Sequence, residues 1–472
     1  MKSTPLIIAL CATMVLTTLG GSVEAQTFTS EDLARRTIER RAVEAAIWGM
    51  PIVSVDAMRE AFFRDAGAKY GDIVYWSKPS NWKNQTTTPN QSSLYVYFNF
   101  NTTDGPVVLD FPAAIGAGLF GTILDAWQGA LIDVGPKGED QGNGGKYLIL
   151  PPGFTGEVPP GYIVVRPATF NGYGLFRAIP ETQSEADVVK AIALVKKQRL
   201  YPLTQIANPP EQRFIDMADK LFDGLVRYDA SFYTRLARMV NEEPVQPRDL
   251  AIMGQLRSLG IEKGKEFKSN EQTNATLKAA VEQAHAEFIR TNVETTQPYW
   301  PGTHWGLSDW VALAAKTQFT FQTADSLDVD ARAAMFFLAY APPAKLGDAT
   351  FYVVAYRDAA GASLQGGNNY KLRVPAHVPA AQFWAFTVYD RNSAGFIRET
   401  KRGNLDSYDQ TMKRNTDGSV DIFVGPNAPA GEEANWIPTE PGKRWFTLFR
   451  FYGPGKPLFE KTWRLNDIEK MG

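Results

Sequence analysis

Between Leu175 and Met253 the chain holds a single glycine, Gly224, and between Trp127 and Trp300 it has no tryptophan. On both sides of that stretch the texture reverses. Before it come SLYVYFNF (93–100), GPVVLDFP (105–112) and GYIVVRPATF (161–170). After it come TFYVVAYRD (350–358), YKLRVP (370–375), FWAFTVYD (383–390), SVDIFVG (419–425) and WFTLFRFY (445–452). Short β-branched and aromatic runs between Gly, Asn and Pro are strands. Several are apolar on both parities, so both faces of their sheets should be covered. The fold class is therefore α+β and β-rich. An N-terminal antiparallel β-sandwich is expected over 69–180 and a mainly helical insert over 181–345. A C-terminal jelly-roll-like β-sandwich is expected over 346–472.

Helix signals fill the remainder. Thr29-Ser30-Glu31-Asp32 is a capping box opening the N-terminal helices of residues 26–68. Gly49 and Pro51 should end the first helix, with a second over 56–64. Ser184 caps EADVVKAIALVKKQRL, and Pro209-Pro210 open a helix running through EQRFIDMADKLFDGLVRYDASFYTRLARMV. Ser269 and Gln272 box the start of TNATLKAAVEQAHAEFIRT, and DARAAMFFLAYAPP (330–343) is a buried helix ended by Pro342.

The first 25 residues read as a secretory leader: Lys2, an apolar stretch over 5–19, then Val23-Glu24-Ala25 with cleavage after Ala25. A periplasmic or secreted location follows, without a membrane anchor after cleavage. The apolar stretch is shorter than the roughly 20 residues a bilayer requires. Cys11, the one cysteine, falls inside the leader, so the mature chain has no disulfide to lean on. Its stability must come from a large core, which 44% hydrophobic and 12% aromatic residues can supply. A net charge of −2 gives no pull towards nucleic acid or an anionic membrane. Exposed sandwich edges suit a homo-oligomer.

Familiar catalytic machinery is missing from the sequence. There is no Gly-x-Ser-x-Gly elbow, no HExxH and no paired-cysteine zinc motif. GEDQGNGGKY (138–147) has the glycines of a phosphate cradle without the strand and helix around it, and reads as a hairpin loop. No cofactor is called for. No metal is called for by spacing, although scattered Asp and carbonyls leave a calcium site open. His285 falls mid-helix and His377 in a turn. His304, among Trp300, Trp305 and Trp310, is either core or pocket rim.

Carboxylates, arginines and aromatics carry what chemistry is left. Asp125 beside Trp127 is an acid among apolar neighbours, which tends to raise its pKa and suits general acid work. The alternative is a turn cap or an arginine pair. Asp390, with Arg391, is a second candidate acid or a turn start. Arg166, Arg398 and Arg450 lie in strand-like runs; facing inward they need partners, facing outward they are solvated. In WFTLFRFY, alternation puts Trp445, Thr447, Phe449 and Phe451 on the core face, and Phe446, Leu448, Arg450 and Tyr452 on the other. Two readings stand. Arg450, Tyr452, Asn435 and Trp436 form a polar-aromatic pocket wall, or Arg450 ties down loop carbonyls.

The phrases GPVVLDFP, Asp125-Ala-Trp127, GGKYLILPPGF (144–154) and GYIVVRPATF resemble the domain of unknown function numbered 1254. FWAFTVYDRNSAGFI (383–397), NTDGSVDIFVG, EANWIP and FRFYGPG resemble the partner domain numbered 1214. The resemblance implies a β-sandwich, an inserted helical region and a jelly-roll-like end domain in exported bacterial proteins. It brings no reaction. Members often carry Asn-x-Asp ahead of the first long strand, where this chain has Asn90-Gln91-Ser92. Two function classes are carried forward. One is a carboxylate-dependent hydrolase or lyase acting on a glycan or other polar small molecule in an inter-domain cleft. Asp125 or Asp390 would serve as acid or base, with Arg166, Arg391, Arg398 and Arg450 holding substrate. His304 would stand at the rim, and Trp82, Trp127, Trp305, Trp384 and Trp436 would stack on sugar faces. The other is a non-catalytic ligand-binding or envelope-interaction protein using the same faces. Fold alone does not separate them.

Overall fold

A computed structural model describes residues 28–182, 184–345 and 350–472. The expected leader and its cleavage after Ala25 lie outside the described residues. Among those residues no helix is long and apolar enough to cross a membrane.

The strand Leu94–Asn101 shows why the strand runs are apolar on both parities. Leu94, Val96, Phe98 and Phe100 point into the space between two sheets. Tyr95 and Tyr97 point the other way, towards the helices. Its sheet has six strands, in the order Phe214–Asp216, Ile73–Tyr75, Leu94–Asn101, Asn171–Ile179, Gly118–Asp125, Ala130–Val134. The facing sheet has four: Arg199–Pro202, Val107–Phe111, Gly145–Ile149, Ile163–Val165. Leu109, Phe111, Tyr147 and Ile149 of the second meet Val96, Phe98, Ile123 and Phe176 of the first. Each such side chain taken fully out of water contributes about 1.5–3 kcal/mol. Most pairings are antiparallel, with parallel pairs at one edge of each sheet. Gly174 lets the Phe98 ring lie across its strand; a Cβ there would sit 2.4 Å from the ring.

The C-terminal module repeats the plan. Its six strands run Thr296–Pro298, Gly306–Ser308, Thr350–Ala355, Trp445–Pro454, Ala380–Asp390, Asn404–Asp406. Four more, Trp436–Pro438, Val420–Gly425, Tyr370–Val374 and Ile468–Lys470, form the facing sheet. Trp305, Phe386, Trp445, Phe449 and Phe451 meet Leu372, Ile422 and Val424 between them. The expected core face of the Trp445–Pro454 strand is therefore the one that faces its partner sheet. The stretch 181–345 mixes helices with strands: it supplies two strands to the main sheets of each module, and Phe222–Asp223 pairs with Asn84–Gln85.

Between the modules lies a helical layer. The helices Ser30–Arg64, Ser231–Glu242, Glu271–Glu294 and Val329–Leu338 share one core through Ala42, Ala46, Leu236, Ala284, Phe288 and Ala334. Val354, Tyr356, Phe446 and Leu448 from the outer face of the second six-stranded sheet belong to the same core. Further along the first helix, Val55, Met58 and Phe62 pack on Val74, Trp76 and Tyr97 of the first sheet. One helix thus supports both modules.

That helix corrects an expectation. The capping box at Thr29 and Asp32 is formed, but Gly49 and Pro51 do not end the helix, which runs unbroken from Ser30 to Arg64. A proline removes one N–H and crowds the preceding turn. Here outside donors serve nearby carbonyls: Arg332 Nη2 donates to Trp48 O in the preceding turn at 3.1 Å, and Gln128 Nε2 to the carbonyl of Pro51 itself at 3.1 Å. Gly49 admits the neighbouring helix; a Cβ there would be 2.8 Å from Leu236 Cδ1. The helix expected after Pro210 begins only at Ser231. Phe214–Asp216 is instead an edge strand, and Asp216 Oδ1 accepts from Ser77 N at 3.1 Å and Ala218 N at 2.9 Å. A short acid that captures nearby amides competes with helix formation. Asn270, not Ser269, caps the Glu271–Glu294 helix.

The two modules also meet directly, where the loop before Leu94 is clasped by the second sheet. Thr88 N donates to Ala394 O at 2.7 Å, and Tyr389 Oη donates to Pro89 O at 2.7 Å. Arg450, 3% exposed, donates from Nη2 to Thr88 O at 3.1 Å and from Nη1 to Thr387 Oγ1 at 3.0 Å. Asn90 Nδ2 donates to the Tyr452 hydroxyl, whose ring is stacked on Phe383 at 3.9 Å.

Two substitutions test this packing by urea unfolding. Gly174→Ala should destabilise the protein by about 1–3 kcal/mol through overpacking against Phe98. Arg450→Met strands Thr88 O and should also cost about 1–3 kcal/mol. An unchanged unfolding midpoint in either variant contradicts the corresponding contact.

Candidate functional site

The Gly118–Asp125 strand ends at a tight reversal. Asp125 N donates to Gly129 O at 3.1 Å, and Gln128 N to Asp125 O at 3.1 Å. Gln128 takes the left-handed φ of +61° that the turn needs. Asp125 Oδ1 accepts from Trp127 N at 2.9 Å and Gly129 N at 2.8 Å, so one carboxylate oxygen caps the turn. The turn is anchored on two sides, through Ala126 N to Thr169 Oγ1 at 3.0 Å and through Gln128 to the first helix. Asp125 Oδ2 has no hydrogen-bond partner among the described residues.

The turn presents Trp127 to the helical layer. Its ring lies 4.8 Å from that of Trp48. The guanidinium of Arg332 sits 5.2 Å from the Trp127 ring centre and that of Arg248 5.9 Å. Trp48 Nε1 donates to Asp249 Oδ1 at 2.9 Å, and Asp249 Oδ2 lies 3.6 Å from Arg248 Nε. Three buried donors remain unmatched: Trp127 Nε1, Arg248 Nε and Arg332 Nε. Each such group costs about 1–3 kcal/mol when left without an acceptor.

The electrostatics follow from burial. Loss of water raises the Asp125 carboxyl from 3.8 to about 6, against the Gly129 and Trp127 amides and the two arginines. Burial also pulls the Arg332 guanidinium down to about 10, with Arg248 adding repulsion and Asp249 and Asp125 opposing it. A carboxyl poised near neutrality beside unmatched cationic donors can exchange a proton while an anionic group is held.

The other candidate residues are dispersed. Asp390 Oδ1 accepts from Asn392 N and Ser393 N, both at 2.9 Å, which makes Asp390 a turn former. Arg166 is exposed at the end of its strand. Arg398 pairs with Asp223 at 2.9 Å across the modules. His304 is held through N and Nδ1 by Asp467, and Trp305 Nε1 donates to Asn466 O at 2.8 Å in the core. Trp384 stacks on Phe449 at 5.3 Å. Asn435 bridges Lys413 and Asp421, and Trp436 Nε1 donates to Gly425 O at 2.9 Å. Asn435 and Trp436 border the four-stranded sheet, whereas Arg450 and Tyr452 project from the opposite face of the Trp445–Pro454 strand. The four-residue wall does not form, and Arg450 is a carbonyl tie. Arg391 follows the Ala380–Asp390 strand and donates from Nη1 to Ser363 Oγ at 3.2 Å, apart from Asp125. Among the described residues no group of three or more His, Cys, Asp or Glu is placed to hold a metal ion.

Trp48, Arg248, Asp249 and Arg332 were not anticipated. Arg332 had one signal: it is the sole cation in DARAAMFFLAYAPP, an otherwise apolar buried helix. A charge there must have a purpose or a partner.

Comparison with known proteins places the two modules. Residues 71–202 match the protein of unknown function DUF1254, and residues 349–456 match the protein of unknown function DUF1214. The chain belongs to the family that pairs these two domains. In this DUF1254–DUF1214 protein, Asp125 and Trp127 fall within the first match, while Trp48, Arg248 and Arg332 fall outside both. No curated protein matches. Among solved structures, the VPA0106 protein of Vibrio parahaemolyticus is similar at a TM-score of 0.51 and 16% identity, covering 91% of this chain and 100% of that one. An uncharacterised protein of Burkholderia cenocepacia aligns at a TM-score of 0.40 and 13% identity, over 93% and 95% of the two chains. The first likeness shows the fold alone.

The raised Asp125 carboxyl has a measurable consequence. Unfolded, it titrates near 3.8; folded, near 6. Within that window the folded chain binds more protons, so stability falls as pH rises through it and stays lower above it. The full effect is about 3 kcal/mol. Asp125→Asn keeps the Oδ1 acceptor and removes the charge. It should melt above the wild type at about pH 8 and level with it near pH 4. Equal melting at both pH values contradicts a buried, raised carboxyl.

Proposed function

We propose that this protein is an exported enzyme that performs acid–base chemistry on a carboxylate-bearing glycan or other small acidic molecule, by a lyase step. The observation that carries this reading is the grouping of two guanidiniums around the Trp127 ring, with Trp127 Nε1, Arg248 Nε and Arg332 Nε unmatched, next to the turn in which Asp125 uses only Oδ1. Arg332 and Arg248 would neutralise the substrate carboxylate, and Trp127 Nε1 would donate to one of its oxygens. Asp125 Oδ2 would take the proton from the carbon next to that carboxylate. The electron pair forms a C=C bond as the C–O bond at the next carbon breaks, and the departing oxygen takes up a proton. A lyase is favoured over glycoside hydrolysis, which needs two opposed carboxyls. Asp390, the other candidate acid, is committed to its own turn. Export rests on the leader pattern of residues 1–25.

The test is a panel of uronate oligosaccharides and simple hydroxy acids, read by thermal shift for binding and by ultraviolet absorbance and mass spectrometry for the unsaturated product. Wild type should bind and turn over at least one member. Asp125→Asn should still bind but lose roughly 100-fold or more in rate. Arg332→Met should lose binding. Binding without any product would make this a ligand-binding protein instead. No response to any acidic compound would overturn the site.

A further inference from the structure

The second six-stranded sheet gathers three arginines at one end. Thr350–Ala355, Trp445–Pro454 and Ala380–Asp390 are neighbours in it, each antiparallel to the next. The pairs Ala355 with Thr447 and Asp390 with Trp445 bring the ends of the outer two strands level with the start of the middle one. Arg357 and Arg391 follow the outer strands, and Arg444 precedes the middle one. Arg391 N donates to Arg444 O at 3.0 Å, and Arg357 bridges to Ser363.

Among the described residues no acid lies within ion-pair distance of these charges. Arg391 is 6% exposed; its Nη1 donates to Ser363 Oγ at 3.2 Å and its Nε has no partner. Its guanidinium lies 5.8 Å from the ring centre of Tyr356, which is 5% exposed and whose hydroxyl is also unmatched. Arg357 Nη1 donates to a carbonyl, Gly361 O, at 3.1 Å. The nearest carboxylates in sequence are engaged elsewhere: Asp358 by Ala360 N and Ala362 N, Asp390 by its turn amides, Glu440 by Lys443 at 2.6 Å. Burial and repulsion from Arg444 draw Arg391 down to about 10, as expected where cations crowd without a counter-charge.

We infer that Arg357, Arg391 and Arg444, with the Tyr356 hydroxyl, form a binding site for a phosphate or sulfate group. A tetrahedral, multiply charged oxyanion offers acceptors in several directions and offsets more than one cation. It would satisfy both buried orphans at once. The site is distinct from Asp125 and does not depend on its assigned role.

Inorganic phosphate and inorganic sulfate are titrated against the full chain, with chloride at matched ionic strength, following the melting temperature. A saturable rise with one or both oxyanions and none with chloride is expected; the two titrations show which anion is preferred. Arg391→Met should abolish the rise. Arg444→Gln, at an exposed position that does not threaten folding, should weaken apparent affinity about tenfold or more. An equal response to chloride, or an Arg444→Gln protein that responds like wild type, would overturn the proposal.

Discussion

The long helix through Pro51 is the member on which the rest depends. The first module and four other helices pack against it, a shared core joins it to the second module, and it passes a proline where a helix loses a hydrogen bond. Beside that proline, Arg332 takes up the Trp48 carbonyl and Gln128 that of Pro51. Those two residues come from different elements: Gln128 from the turn that carries Asp125, Arg332 from the helix Val329–Leu338. The proline region is therefore also the place where the first module, the helical layer and the candidate site are joined. Moving Arg332 would disturb the helix and the donor set together.

Asp56 closes the same helix onto Ser231–Glu242. It is fully buried and accepts from Arg59 at 2.7 Å and from Arg238, while Arg59 also reaches Glu242 at 2.6 Å. Here buried arginines have acids. Arg332, Arg391 and Arg450 do not; Arg450 spends its donors on Thr88 O and Thr387 Oγ1, whereas Arg332 and Arg391 each keep a buried Nε without a partner. The fold evidently can pair a buried guanidinium when pairing is the only requirement.

Much of the architecture was legible. The reversal of texture near 180 and again near 345 located two β modules around helices, because sheets covered on both faces need strands apolar at every position. Helix ends were less legible. The stop at Pro51 was misread because carbonyls beside it are met by side chains 77 and 284 positions away, which no local pattern reports. The 211–230 stretch looked helical by period, yet Asp216 and its captured amides make an edge strand. Asp125 and Trp127 were readable as an acid beside an aromatic within a strand ending. Their partners Arg248 and Arg332 were not, since only tertiary packing brings them to Trp127. Asn435 and Trp436 failed as companions of Arg450 for a simpler reason: closeness along the chain does not survive a strand that puts them on opposite faces.

The clasped loop gives Asn90-Gln91-Ser92 a role where the resemblance drawn from the sequence leads one to expect Asn-x-Asp. Ser92 Oγ donates to Asp406 Oδ2 at 2.6 Å, across the two modules. An aspartate at 92 would bring a second carboxylate to hydrogen-bonding distance of the first, and one of them would have to bind a proton to stay. Serine turns that repulsion into a donated hydrogen bond. Asn90 keeps its own task, since its amide reaches the Tyr452 hydroxyl and its Oδ1 accepts from Ser92 N at 2.8 Å. The motif here thus works as a latch between modules, and the acidic partner of that latch sits on the opposite strand, at Asp406.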